Sequence, residues 1–451
     1  MTHRLLFTRR STSHQSGVTL IELMIAMVLG LLVAAGIITV FLSTSNSNRA
    51  QTQLARLQEE GRFAITRLSE DLRMANGQYC TNSGGTAKLQ SAGTYLDRLR
   101  APTVYAKGTN LTAAISDVTT PMDGVSYPAA ASSVGSPYTF PSFLSMRGYD
   151  CTATACTKVD PNTSVTAIPA MGKAVGSRVV GADVITVRYV NSSRGWAIGS
   201  GTVATTNGAA SGNTISSIAL TQGTGEPPIT DFKSGDLAML ADCSNAQIFV
   251  ADATSAGVIT PNASKNYSMP TAQPPQSAPK LFDFNRDFQT VTYYLKVVDM
   301  GGGQTTGALI RRVNGNDPKK VGSSEDELVR GIERMDFRYG VQDGNGNISY
   351  LTAAQVDAGT NCPPSAPNPL GTDPGCMWRA ITSIEISVLM DGQVQLGSLA
   401  ATDLLYTYNI DKKSTPTAPG NFTINPSDQG FSNQLIRREF VALVSVRNFN
   451  P

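Results

Sequence analysis

Glu22 is the only charged residue in Val18–Leu42, a run of 25 residues that is otherwise apolar or small. An ionised group at membrane depth costs about 2.5 to 3.5 kcal/mol on insertion scales, so a carboxylate there calls for a partner. Gly17 stands directly before the run. If the chain is cut after it, Val18 carries a new α-amino group and Glu22 becomes the fifth residue of the shortened chain. In a stack of identical or related helices, the amine of an incoming molecule then lies against Glu22 of its neighbour, neutralising both charges and setting axial register. A local role is also open. Thr19-Leu20-Ile21-Glu22 fits the T-x-x-E capping box, in which threonine and glutamate satisfy free amides at a helix start, where the dipole also favours an acid.

Other chemistry is scarce. Both histidines, His3 and His14, precede Gly17, so a processed chain has none, and triads that use histidine as base or zinc sites that use imidazole are not expected. No cofactor is expected, nor catalysis. Six cysteines in a chain that reads as exported imply three disulfides. Cys362 and Cys376 enclose five prolines and two glycines, a segment that core burial would not order, so a bridge there removes most of its freedom. Pairing Cys362 with Cys376 and Cys151 with Cys156 leaves Cys80 with Cys243, one of fifteen possible connectivities. "DGNGN", Asp343 to Asn347, fails the EF-hand spacing at Ile348 and Ala354 and reads as a hairpin turn. Arg437-Arg438 and Lys412-Lys413 read as solvated surface charge, and Trp196 and Trp378 as packing residues.

These groups need a helix to carry them. Val18–Leu42 spans about 37 Å as a helix, enough for a hydrocarbon core of about 30 Å. Arg4, Arg9 and Arg10 upstream place the amino terminus in the cytoplasm and the rest outside. Without those three, the 36 basic residues fall to 33 against 34 acidic ones, and a near-neutral chain has no long-range attraction for nucleic acid. Three readings of the segment are open on these residues. One is a secretory signal cut after Val33-Ala34-Ala35, although the run exceeds the ~7 to 15 residues of a usual h-region. The others are an uncleaved anchor with Glu22 as a cap, and a helix processed after Gly17 with Glu22 as assembly group. Ala26, Gly30 and Ala34 form a small-xxx-small ladder that lets apolar helices approach. Beyond the run, Ala50, Leu54, Leu57, Ala64, Leu68, Leu72 and Ala75 recur at helical spacing, with Gly61 on the same stripe and Asn76-Gly77 as a stop.

Gly17-Val18-Thr19-Leu20-Ile21-Glu22 and the apolar run resemble the class III signal of type IV pilins and pseudopilins. The resemblance implies that a prepilin peptidase cleaves after Gly17, that Val18 becomes the methylated terminus, and that Glu22 serves assembly. Val18 stands where the family usually has phenylalanine.

Downstream, residues 77–287 are rich in Gly, Ser, Thr and Pro, with short strands such as "DVITVRYV" (Asp183 to Val190) and the pair in Gly235 to Asp252, while Gly201 to Thr214 reads as loop. From residue 288 alternation is stronger: 291–297, 307–313, 335–341, 384–388 and 440–446 predict one antiparallel sheet buried on one face. The expected organisation is a basic leader 1–17, a long helix 18–76 with 18–42 transmembrane, a β/loop-rich region 77–287 and a β-sheet region 288–451. The fold class is α+β: a long amino-terminal helix packed on an antiparallel sheet head, enlarged by an insertion. "ADVITVRY", "GDLAMLADCSNAQIF", "VRGIERMDFRYGVQDGNG" and "RREFVALVSVRN" are similar to PilW-type minor pilins. That resemblance implies a subunit that primes pilus assembly at or near the tip. Its partners would be other minor and major pilins, the prepilin peptidase, the inner-membrane assembly platform and a large tip adhesin. It would sit in the inner membrane first and on the pilus afterwards. A type II secretion pseudopilin and an anchored extracytoplasmic binding protein are the alternatives.

Overall fold

A single helix, α1, runs from Leu20 to Leu72, 53 residues or about 80 Å. The computed structural model describes residues 17–446 apart from 80, 83–86, 91–92, 97–101, 108–110, 112–113, 116–134, 158, 163–167, 200–201, 209–211, 243–244, 255, 274–277, 319, 344, 361–374 and 396–398. The helix is shorter than the expected 18–76. Met74 and Ala75 donate to the carbonyls of Asp71 and Leu72 at 3.0 and 3.2 Å, tightening the last turn, and Asn76 adopts φ 62°, the left-handed stop that an asparagine before glycine tolerates.

The chain divides into two units between Gln53 and Leu54. In the first, the side chains from Leu20 to Leu42 are exposed, and this part of α1 is long and apolar enough to cross a membrane. In the second, Leu57, Gly61, Ala64, Leu68 and Leu72 are buried. Their spacing of four, three, four and four keeps them on one face, as a helix lying on a core requires.

That core is built on two antiparallel sheets. The strands of the first are β1 (Met146–Cys151), β2 (Cys156–Thr157), β3 (Val184–Val190), β4 (Phe288–Gly301), β5 (Gln304–Val313) and β6 (Ser324–Arg330), in the order β6-β5-β4-β3-β1-β2. The second contains β7 (Ile332–Gln342), β8 (Ile348–Leu351), β9 (Ile381–Asp391) and β10 (Arg437–Ser445), in the order β8-β7-β9-β10. Leu57, Ala64, Leu68 and Leu72 share one apolar cluster with Val187, Tyr293, Leu309, Met335, Ile386 and Val444, so α1 and both sheets enclose a common interior. A third sheet of nine strands between Thr103 and Asp283 has its own core around Trp196, Phe232, Phe249 and Leu281. The architecture is α+β.

The expected single carboxy-terminal sheet is two sheets. The chain leaves β6 and enters β7 at Gly331, whose φ of 83° and whose close approach to Gln393 and the Asp391 carbonyl admit no side chain, so one glycine redirects the strand. The division at 287/288 marks no break in pairing either, because β4 pairs with β3 from Phe288 to Tyr293. All seven residues of β3 are buried, which makes it a central strand covered on both faces rather than a half-exposed one. Gly201 to Thr214, expected as loop, contributes to a hairpin of Val203–Gly208 with Gly212–Ala219. Its threonines and valine suit a strand that keeps polar side chains in water.

Candidate functional site

The first turn of α1 closes on itself. The Thr19 backbone N–H and its hydroxyl both donate to Glu22 Oε2 at 2.9 Å, and the Glu22 N–H donates to Thr19 Oγ1 at 3.3 Å. This is the reciprocal capping box. It leaves Glu22 Oε1 without a hydrogen bond among the described residues. Gly17, Val18 and Thr19 precede the helix and are exposed, so both Val18 and the carboxylate four residues on are open to a neighbour. Ala26, Gly30 and Ala34 are exposed too, and a Cβ on Gly30 would meet nothing within 4 Å. The ladder therefore offers a shallow, unfilled face of the helix.

At the other end, Asp71 fixes α1 to the first sheet. Arg311 on β5 donates to it from Nε at 2.7 Å and from Nη2 at 3.2 Å. The Tyr189 hydroxyl on β3 donates to Oδ1 at 2.9 Å and the Tyr293 hydroxyl on β4 to Oδ2 at 2.6 Å. Burial acts to raise the Asp71 carboxyl, but Arg311 and the two phenols outweigh it and hold the group below its usual range. The same neighbourhood, burial first and then the Asp71 charge, pushes both phenols up, so they remain donors. This arrangement takes up the charge of a buried acid and converts three strand positions into one helix position.

Cys151 and Cys156 are joined by a disulfide between β1 and β2. The Arg178 guanidinium lies against it, Nη1 at 3.4 and 3.1 Å from the two sulfurs, while Nη2 donates to Asp160 at 2.8 Å. Cys376 is disulfide-bonded. Cys80, Cys243 and Cys362 lie outside the described residues.

Arg437, expected as surface charge, is fully buried and makes a two-pronged pair with the equally buried Glu333, 2.6 Å from Nε and 2.7 Å from Nη2. The reason is local cover. Arg437, the first residue of β10 and opposite Asp391, shares a face with the exposed Val441 and Leu443, but at this end the Tyr406 ring lies 5.7 Å from its guanidinium and the Leu435 and Ser432 carbonyls accept from it. Trp196 and Trp378 are packed in the interior, their ring N–H groups bonded to the Pro227 carbonyl and to Asp357.

The Glu22 segment was legible as adjacent letters, whereas the Asp71 anchor was missed. Its one sequence signal is an acid between Leu68 and Leu72 on the apolar stripe.

Comparison with protein families gives two matches. Residues 12–38, from the leader past Ala34, match the prokaryotic N-terminal methylation motif. Residues 292–448, from within β4 through β10, match type IV pilus-assembly protein W. No curated protein matches the chain, and no solved structure does. The matched regions carry the capped start of α1 and, in Tyr293 and Arg311, two of the three groups that hold its far end. Together the two matches support a type IV pilin-like protein of the PilW type.

Proposed function

We propose that the chain is a minor pilin that primes type IV pilus assembly and is incorporated at or near the tip, after prepilin peptidase cleaves it at Gly17. It acts by packing, without turnover. Before assembly it spans the inner membrane once with its head in the periplasm, in keeping with the three arginines ahead of the span. Cleavage frees the Val18 amine. That amine pairs with the Glu22 carboxylate of an adjoining pilin, major or minor, so that two charges enter the apolar filament core as a neutral pair. Ala26, Gly30 and Ala34 allow the close helix approach that this pairing needs. The peptidase and the membrane assembly platform are its transient partners, and a large tip adhesin is a candidate for the head.

The observation that carries this reading is the coincidence of Gly17, an exposed Val18 and a capped but half-satisfied Glu22 on a helix whose apolar side chains from Leu20 to Leu42 are exposed. The wording of the family match, pilus assembly, favours a pilus over a secretion pseudopilus. The test is Glu22→Ala in cells whose own copy is deleted. Stable protein in the membrane with loss of surface pili, or of this subunit from sheared pili, is expected. Unchanged piliation and unchanged incorporation would overturn the proposal.

A further inference from the structure

The edges of the three large sheets are treated differently. β6 carries Glu325, Asp326, Glu327 and Arg330 and is bulged against Leu309/Ile310. The strand Val203–Gly208 is bulged between Ala204 and Thr205. β2 and Trp196–Ala197 have two residues each, and β8 has four. Charge, bulges and shortness are the devices by which edge strands avoid pairing with other chains. The edge β10 is neither short nor bulged, and its charges, Arg437, Arg438 and Glu439, are confined to its first three residues. It pairs with β9 through nine consecutive residues without a register shift, from Arg437 opposite Asp391 to Ser445 opposite Ser383. It contains no proline, and Phe440 to Ser445 is uncharged. Val441 and Leu443 are 50% and 60% exposed, and among the described residues no strand pairs with the outer side of β10.

We propose that this edge is covered by a second copy of the chain, the two β10 strands pairing antiparallel about a two-fold axis at Ala442. Symmetry and the pleat determine the register. Residues opposite one another must point to the same face, so their numbers share parity, and the axis passes through a residue position. Centred on Ala442, Val441 lies opposite Leu443 twice, Phe440 opposite Val444 and Glu439 opposite Ser445. Each exposed apolar side chain then meets another, and no like charges meet. Centring on Val441 instead sets Leu443 against Glu439. Centring on Leu443 sets Val441 against Ser445. The strand is thus complementary to itself in one register, and one strand's worth of contact predicts a weak, micromolar dimer. The proposal does not depend on processing at Gly17.

Sedimentation equilibrium of the full mature chain in detergent micelles tests it, with amide hydrogen exchange across Phe440–Ser445. The wild type should show a monomer–dimer equilibrium, with protection of those amides rising with concentration. Val441→Lys/Leu443→Lys, exposed changes whose folding is checked by thermal melting, should weaken the dimer by about tenfold or more and abolish that rise. Glu22→Ala should dimerise as the wild type does. A wild type that stays monomeric throughout, or a double lysine variant that dimerises equally well, would overturn the proposal. Loss of the dimer in Glu22→Ala would assign association to the membrane helix and also overturn it.

Discussion

Asp71 gathers its partners from far away in the chain, Tyr189 at 118 residues and Arg311 at 240. Both members of the Asp71–Arg311 pair are largely buried, so Asp71→Ala, which leaves the guanidinium without its counter-charge, should lower the unfolding free energy by about 3 kcal/mol. Urea unfolding of Asp71→Ala, Arg311→Met and the double variant should show a cycle in which the double costs less than the sum. The pH dependence has a definite sign. With its native carboxyl held low, Asp71 contributes stability that is complete above the unfolded value near about 4 and is lost as the pH falls through the native one. Asp391 acts oppositely. Burial, then the Glu333 charge, push its carboxyl up to about 7, so the native state keeps a proton that the unfolded chain releases, and stability falls as the pH rises from about 4 to about 7. Asp391→Asn should flatten that slope, and Asp71→Asn the acid limb, in melts taken across pH 2 to 8. None of these pairings is readable beforehand, since sequence reports residue types and only the fold reports which of them meet.

The junction of α1 with the second sheet depends on Gly61. A Cβ there would lie 2.6 Å from Cζ of Phe440, so the glycine on the stripe is a close-contact point whose helix-propensity cost of about 1 kcal/mol is accepted for packing. Gly61→Val should therefore destabilise by about 2 kcal/mol despite removing a glycine, and Phe440→Ala in the same chain should recover part of the loss. At the start of β10, Glu333→Ala leaves Arg437 fully buried and unpaired and should cost about 3 to 5 kcal/mol by thermal or urea unfolding. The sequence was informative where periodicity is local. The stripe from Leu57 to Ala75 is buried throughout apart from its polar interleaving, and the alternating segments from Val291 to Val446 are strands. It was uninformative about which strands are neighbours. Nothing in Val184–Val190 indicates that it pairs with residues a hundred positions later, and the two-sheet arrangement follows from a backbone angle at Gly331.

At the scale of the whole molecule, the segments that resemble known protein families are residues 12–38 and 292–448, with all the strands of the third sheet between them. The signal was legible because its chemistry is contiguous: a glycine, a nitrogen one residue later and an acid at the fifth place, all on one strand of text and one turn of helix. The proposed function depends on that nitrogen being freed. Intact-mass and peptide mass spectrometry of the protein purified from membranes and from sheared pili tests this most directly. A chain beginning at N-methylated Val18 is the predicted result; a chain that retains Met1, or that begins at Gly36, would contradict it.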